Sequence, residues 1–211
     1  MDKRPYVQRA RAESAEATRR RVLAAAQANL ERGMLGALKV DDVAREAGVS
    51  RSTVYLLFGS RAGLFQAVAR QLRYDAGFDR LVEAFALPDA REAIRASLRE
   101  ATCMLAYRPD LARGLFGLAA IDPDAVEAVA AFDHGRRPSM RVVARRLRRQ
   151  GYLRPDVTIA EATQILTVVT SFHAFDELYT GLGLAPDVIA DRLIAIAERS
   201  LCREPDRARR R

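Results

Sequence analysis

Tryptophan is absent, lysine occurs only at positions 3 and 39, and cysteine and histidine occur twice each. Each scarcity closes off a class of protein. Cys103 and Cys202 stand far apart, without metal-like or redox-like spacing, which predicts free thiols in a reducing cytoplasm rather than a disulfide framework. A metal site would have to be drawn from Cys103, His134, His173 and Cys202, which share no motif spacing. There is no H-E-x-x-H, no G-x-S-x-G elbow and no phosphate-binding G-x-x-x-x-G-K-[ST] loop, so the expectation is a non-enzyme without cofactor or metal. No apolar run approaches the ~20 residues of a membrane helix. The first residues, MDKRPYVQRARAESAEATRRR, lack the apolar centre of a signal peptide.

What remains is positive charge, unevenly placed. The chain has 35 basic and 27 acidic residues, formally +8. Residues 1–73 carry 14 basic against 7 acidic side chains, residues 74–202 carry 16 against 18, and residues 203–211 carry 5 against 2. The excess therefore lies at the two ends, chiefly the first, and a polyanion is the natural partner of such a segment. Arginine supplies nearly all of it; its planar fork suits phosphate and guanine edges, although an arginine-rich compositional bias gives the same pattern.

Strand signals are scarce, and helix starts and stops recur. TRRRVLAAAQANLERG spaces Val22, Ala26 and Leu30 by fours and stops at Gly33. KVDDVAREAG puts Val40, Val43, Ala44 and Ala47 on one stripe and ends at Gly48, after which Ser50 can cap a further helix. SRAGLFQAVARQLRYDAGFDRLVEAFAL predicts a long fourth helix to about Phe85, with Gly77 a weak point. Asp89 and Glu92, and again Thr158 and Glu161, form capping-box patterns. Gly135 and Pro138 predict a break before an arginine-dense helix. The helix opened by Thr158 is expected to end near Gly181 and Gly183, and Pro186 opens the last. The expectation is an all-α protein of eight to ten helices: a basic arm at 1–17, a three-helix helix-turn-helix unit at 18–62, a fourth helix from about 61, a larger helical body at 63–203 and a basic tail at 204–211.

Within AGVSRSTVYLLFGS (47–60), helical periodicity turns Val54, Leu57 and Phe58 to one side and Ser52, Tyr55 and Leu56 to the other, with Arg51 on the edge nearest Tyr55. A guanidinium, a hydroxyl, a phenol and an aliphatic group together suit the edges of base pairs in a groove. Tyr55 and Leu56 could equally pack on neighbouring helices.

Residues 18–70 resemble the DNA-binding domain of TetR/AcrR-family transcriptional regulators. The resemblance rests on the alanine-rich first helix ending at Gly33, the DDVAREAGVS segment, STVYLLF as recognition helix, and SRAGLF at the start of the fourth helix. It implies that Lys39, Val40, Ser50, Arg51, Ser52, Thr53, Tyr55, Leu56 and Arg61 lie at the duplex, Arg61 on a phosphate. Lys39 and Val40 depart from the threonine or serine usual at the second helix's start and remove a hydroxyl cap. Leu56 and Leu57 replace a common tyrosine and histidine. The resemblance further implies a cytoplasmic homodimeric repressor, released from a near-palindromic DNA operator by a small molecule. Its last two helices would pair with their counterparts as a four-helix bundle, with Ile165, Val169, Phe172, Val188, Leu193 and Ile196 as interface candidates.

Effector-pocket candidates are Cys103, Met104, Tyr107, Phe116, Met140, Phe172, His173 and Asp176, each of which ordinary core packing would also explain. A buried His173 would need a partner and could supply a ligand's hydrogen bond. The seven arginines of GRRPSMRVVARRLRRQG read first as a solvated helix face. Alternatives are a regulator without an effector, an all-helical enzyme, and sequence-neutral binding of DNA or a membrane surface by the basic ends.

Overall fold

The computed structural model describes residues 4–32 and 38–203, without side-chain detail for 4–12 and 131–134. It is all-α: a helix-turn-helix unit at the N-terminus, followed by a larger helical body. Eleven α-helices run among the described residues: α1 (Arg4–Glu31), α2 (Val40–Ala47), α3 (Arg51–Phe58), α4 (Arg61–Asp75), α5 (Phe78–Ala86), α6 (Ala90–Ala106), α7 (Pro109–Ala119), α8 (Pro123–Arg149), α9 (Ile159–Val169), α10 (Phe172–Asp176) and α11 (Pro186–Leu201). A π-turn, Glu177–Gly181, follows α10. The lone β-type contact among these residues is the bridge Leu153–Cys202.

Helix ends follow local chemistry. α2 stops where Gly48 adopts φ 66°, a left-handed conformation that costs other residues a Cβ clash. Ser50 then caps α3 by accepting from the Thr53 N–H at 3.1 Å. Thr158 and Glu161 complete a reciprocal capping box at α9. Asp89 caps α6, accepting from Arg91 and Glu92 N–H at 2.9 and 2.8 Å. The expected stop at Gly33 falls outside the described residues.

Four boundaries differ from the sequence expectation. α1 extends back to Arg4, through the stretch set apart as an arm. The long fourth helix divides at Gly77 (φ 77°) into α4 and α5. Conversely, α8 runs on through Gly135 and Pro138; Pro138 lacks the N–H for one backbone bond, and the Ser139 hydroxyl donates to the Gly135 carbonyl at 2.7 Å. The helix opened by Thr158 stops at Val169, because Ser171 starts a new one by accepting from Ala174 N–H.

The chain forms two compact units. One comprises the described part of Met1–Leu72 together with Asp110–Ala131; the other comprises Arg73–Pro109 with the described part of Phe132–Arg211. In the first, Val22, Ala26, Leu30, Val43, Ala44, Val54, Leu64, Phe65, Val68, Leu111 and Leu115 are buried. Two glycines permit close backbone approach there. A Cβ on Gly63, in the first turn of α4, would lie 2.1 Å from the Phe58 carbonyl oxygen, and one on Gly114 of α7 would lie 2.3 Å from that of Leu30.

The second unit is organised on a core that includes Ile94, Leu98, Met140, Val143, Leu147, Leu166, Phe175, Ile189, Leu193 and Leu201. Here the arginine-dense part of α8 is less of a solvated face than its sequence suggests. Arg146 donates to the carbonyls of Phe85, Leu87 and Pro88 around the end of α5, Arg136 to that of Thr167 near the end of α9, and Arg148 to that of Val157. Cations on the closing carbonyls of a helix complement both its hydrogen-bonding deficit and its dipole. Arg137, Arg141, Arg145 and Arg149 do lie on the exposed side.

The Gly63 contact gives a direct prediction. Gly63→Ala forces the α3–α4 corner apart against a backbone atom that cannot rotate away, and should lower stability by about 1–3 kcal/mol, read as a reduced urea midpoint at unchanged slope.

Candidate nucleic-acid interface

α3 is eight residues long, too short to persist in water unaided. Its position is set from behind and at both ends. Val54 is 2% exposed and Leu57 and Phe58 are half-buried. At the first end, the Ser50 cap lies 2.8 Å from the hydroxyls of both Ser52 and Thr53. At the last, Arg19 of α1 donates to the Leu57 carbonyl at 3.1 Å while its guanidinium sits 4.6 Å from the Phe58 ring centre. Arg21 likewise donates to the Ala47 carbonyl closing α2, at 3.4 Å. Part of the basic excess in α1 is therefore mortar for the helix-turn-helix, a use that composition alone cannot distinguish from nucleic-acid binding.

With the back of α3 fixed, its front is open. Leu56 is 86% exposed, Arg51 and Ser52 are exposed, and Tyr55 is half-buried. Tyr55 is not sealed off: its hydroxyl accepts from Arg51 Nη2 at 3.3 Å, and the guanidinium lies 5.5 Å from its ring centre. Arg51 Nη1 also reaches Asp41 of α2, at 3.2 Å from one carboxylate oxygen and 3.4 Å from the other. The Tyr55 hydroxyl first, and the Asp41 charge second, push the Arg51 pKa above its already high ordinary value.

The remaining residues anticipated at a duplex divide in two. Lys39 is exposed at the N-cap of α2 and makes no side-chain cap bond, in keeping with the loss of a hydroxyl at that position. Thr53 is half-buried beside Ser50. Val40 is buried, its side chain part of the unit's interior. Arg61, expected on a phosphate, is gripped by protein. Both its terminal nitrogens hold the Asp122 carboxylate, Nη1 at 2.9 Å from Oδ1, and Nη1 also meets Asp124 at 3.1 Å. Its Nε donates to the Leu38 carbonyl at 2.9 Å, just before α2. Side-chain exposure is 21% for Arg61 and 10% for Asp122.

Asp122 also caps α8, accepting the Asp124 N–H at 3.0 Å. The Arg61 hydrogen bond holds the Asp122 carboxyl below the usual aspartate range. Neither this node nor the Asp41–Arg51 pair has a signal in the sequence, since the partners lie 61 and 10 positions apart without a motif.

The effector and dimer candidates belong mostly to the second unit, with Phe116 in the first. Met140 and Phe172 are buried, Met104 and Asp176 half-buried, and Cys103, Tyr107 and His173 exposed. His173 makes an edge contact with Phe172 at 5.7 Å between ring centres; exposure removes the reason given for it, that a buried imidazole demands a partner. Among the interface candidates, Val169, Phe172 and Leu193 are buried within the single chain, Ile165 is half-buried, and Val188 and Ile196 are exposed along α11. Val168 of α9 and Leu182 add exposed apolar surface that the sequence reading did not single out. No described helix is long and apolar enough to cross a membrane.

Comparison with known proteins bears on this arrangement. Residues 22–68 match the family model for bacterial regulatory proteins of the tetR family. The HTH-type transcriptional regulator EthR of Mycolicibacterium smegmatis is 40% identical over 76 residues, and that match spans 35% of each protein's length. Among solved structures, NalD, the secondary repressor of the MexAB-OprM multidrug efflux pump in Pseudomonas aeruginosa, superposes with a TM-score of 0.71. That alignment covers 92% of this chain and all of NalD at 23% identity. A Saccharomonospora viridis protein assigned as a transcriptional regulator, in complex with choline, gives a TM-score of 0.63 at 19% identity, covering 88% of this chain and 98% of that one. At these identities the structural likenesses establish the fold.

The Arg61 node yields a prediction with a defined pH window. Asp122→Asn keeps a good N-cap for α8 but removes the charge that Arg61 grips, and should cost about 1–3 kcal/mol at pH 7. A carboxyl whose pKa is depressed on folding adds stability above its unfolded pKa and loses it as pH falls through the folded one. The gap between wild type and Asn should thus persist down to about pH 4 and close below it, measured by urea denaturation across pH.

Proposed function

From the match of residues 22–68 to the tetR family of bacterial regulatory proteins, we propose that the chain is a member of that family and acts as a homodimeric, sequence-specific DNA-binding repressor. One observation carries the DNA reading: Leu56 stands 86% exposed on the same open face as Arg51 and Tyr55, on a helix whose opposite side is anchored by Val54. A large apolar side chain in that position gains nothing from water, and it has a use where a thymine methyl can cover it. Arg51 offers its fork to guanine O6 and N7, Tyr55 and Ser52 offer hydroxyls, and Lys39 meets a phosphate at the start of α2. Arg61 contributes by holding the Leu38 carbonyl, and with it the approach to α2, rather than by presenting a free cation.

The outer faces of α9 and α11 support the dimer reading. Val168, Val188 and Ile196 are exposed, and Ile165 is half-buried. Two copies joined there would carry two recognition helices to a near-palindromic operator, with half-sites ~34–36 Å apart or a multiple of it. Val169, Phe172 and Leu193 then support the interface from within each protomer. A small-molecule effector, bound in the body, acts by its differential affinity for two dimer geometries. Met140 and Phe172, which are buried, and Met104 and Asp176, which are half-buried, are the candidates to sense it. The choline complex of the Saccharomonospora viridis protein makes a small organic cation a reasonable first class to screen.

The experiment is selection of bound duplexes from genomic DNA, followed by affinity measurement on the best site and a scrambled control. Arg51→Ala and Tyr55→Ala should each cost about 1–3 kcal/mol on the selected site and much less on the control. Leu56→Ala should relax the preference at one thymine-bearing position per half-site. Equal losses on both duplexes would remove base readout from the account.

A further inference from the structure

Asp41 is an unexpected neighbour for a base-reading arginine. It sits in the first turn of α2, 64% exposed, on the surface offered to a polyanion, and its carboxylate takes Arg51 Nη1 while Tyr55 takes Nη2. As an ion pair it adds little to stability, because both side chains are largely exposed and water screens their attraction. Near phosphates, a carboxylate is a net repulsion. A carboxylate in the first turn suits the dipole of α2, but that role does not require Asp41 to reach Arg51, and general attraction to DNA does not explain it either.

The geometry supplies a reason. A flexible arginine on an exposed helix can serve any phosphate as a point charge. An arginine with one terminal nitrogen at Asp41, the other at a phenol, and its guanidinium beside that ring samples fewer orientations before DNA arrives, and bidentate donation to guanine depends on the plane of the guanidinium. Restricting it beforehand removes part of the ordering cost of the correct contact. The unbalanced negative charge meanwhile penalises every duplex, and only a correctly placed guanine offsets that penalty.

We propose that Asp41 is a specificity-determining positioning residue, acting through Arg51 to favour one guanine per half-site and to weaken binding to all other DNA. This rests on the reading of α3 as the base-contacting helix.

The test uses the full-length protein, the best duplex recovered with wild type from a random-sequence library, and a scrambled duplex. Asp41→Ala should bind the scrambled duplex ~3–10-fold more tightly and lower the specific-to-scrambled ratio by about tenfold, in line with the worth of one well-made base contact. Asp41→Asn, which keeps an acceptor for Arg51 but not the charge, should lose less of the ratio while gaining scrambled affinity. In an Arg51→Ala background the Asp41 substitution should leave the ratio unchanged. Repeating the selection with Asp41→Ala should blur a single guanine position and spare the rest of the site, an outcome that a merely structural role would not produce.

A ratio indifferent to Asp41, or one that shifts equally without Arg51, would overturn this inference while leaving the parent reading intact. A wild type that shows no preference for its recovered duplex would overturn both.

Discussion

An eight-residue helix does not hold itself together in water, and everything this protein can do with α3 follows from how its neighbours compensate. Nucleation is supplied at the first end by the Ser50 cap, position by Val54 beneath, and closure by Arg19 on the Leu57 carbonyl. Gly63 lets the next helix begin almost on top of the last carbonyl of α3. These contacts use the concealed side and the two ends, and leave the remaining side free of structural duty. The exposed leucine occupies that side with Arg51 and Ser52, which keep only exposed polar contacts to Asp41, Tyr55 and Ser50, so their chemistry can be set largely by a partner.

The same economy explains where the arginines go. In the first unit Arg19, Arg21 and Arg61 all donate to main-chain carbonyls, of Leu57, Ala47 and Leu38. In the second, Arg136, Arg146 and Arg148 do likewise. Short helices have many unsatisfied closing carbonyls for their length, and a long side chain with five donors can serve several at once. The count of positive charges thus overstates the number of arginines whose donors are free for nucleic acid, and Arg51 and Lys39 matter more than their share of the total suggests. Arg51 is in turn moderated by Asp41 and Tyr55, which accept from its two terminal nitrogens and narrow its orientations.

Much of the fold was legible because it is written in local periodicity. The stripe Val40, Val43, Ala44, Ala47 is buried as its spacing implies, Leu64, Phe65, Val68 and Leu72 turn inward, and Ser50 and Thr158 cap the helices they precede. Continuity across weak breakers was harder to read. Gly77 ends a helix whereas Gly135 with Pro138 does not, because tertiary packing decides whether a marginal turn is completed. The open face of α3 was legible from angle alone. Charge partners were not: nothing near Arg61 in sequence announces Asp122, and nothing near Arg51 announces that Asp41 will reach it. Burial of Val40, Val169 and Leu193, and exposure of His173, likewise depend on which neighbours the chain brings, not on any local pattern.

The central claim is that the exposed side of α3 touches base edges, and chemical interference addresses it at the level of single atoms. Guanine N7 lies in the major groove and is blocked by methylation without altering pairing. On a duplex selected by wild type, methylation of one guanine per half-site should abolish binding, and the same lesion should make no difference to Arg51→Ala. Interference confined to phosphates, with no guanine N7 sensitive in wild type, would contradict the account.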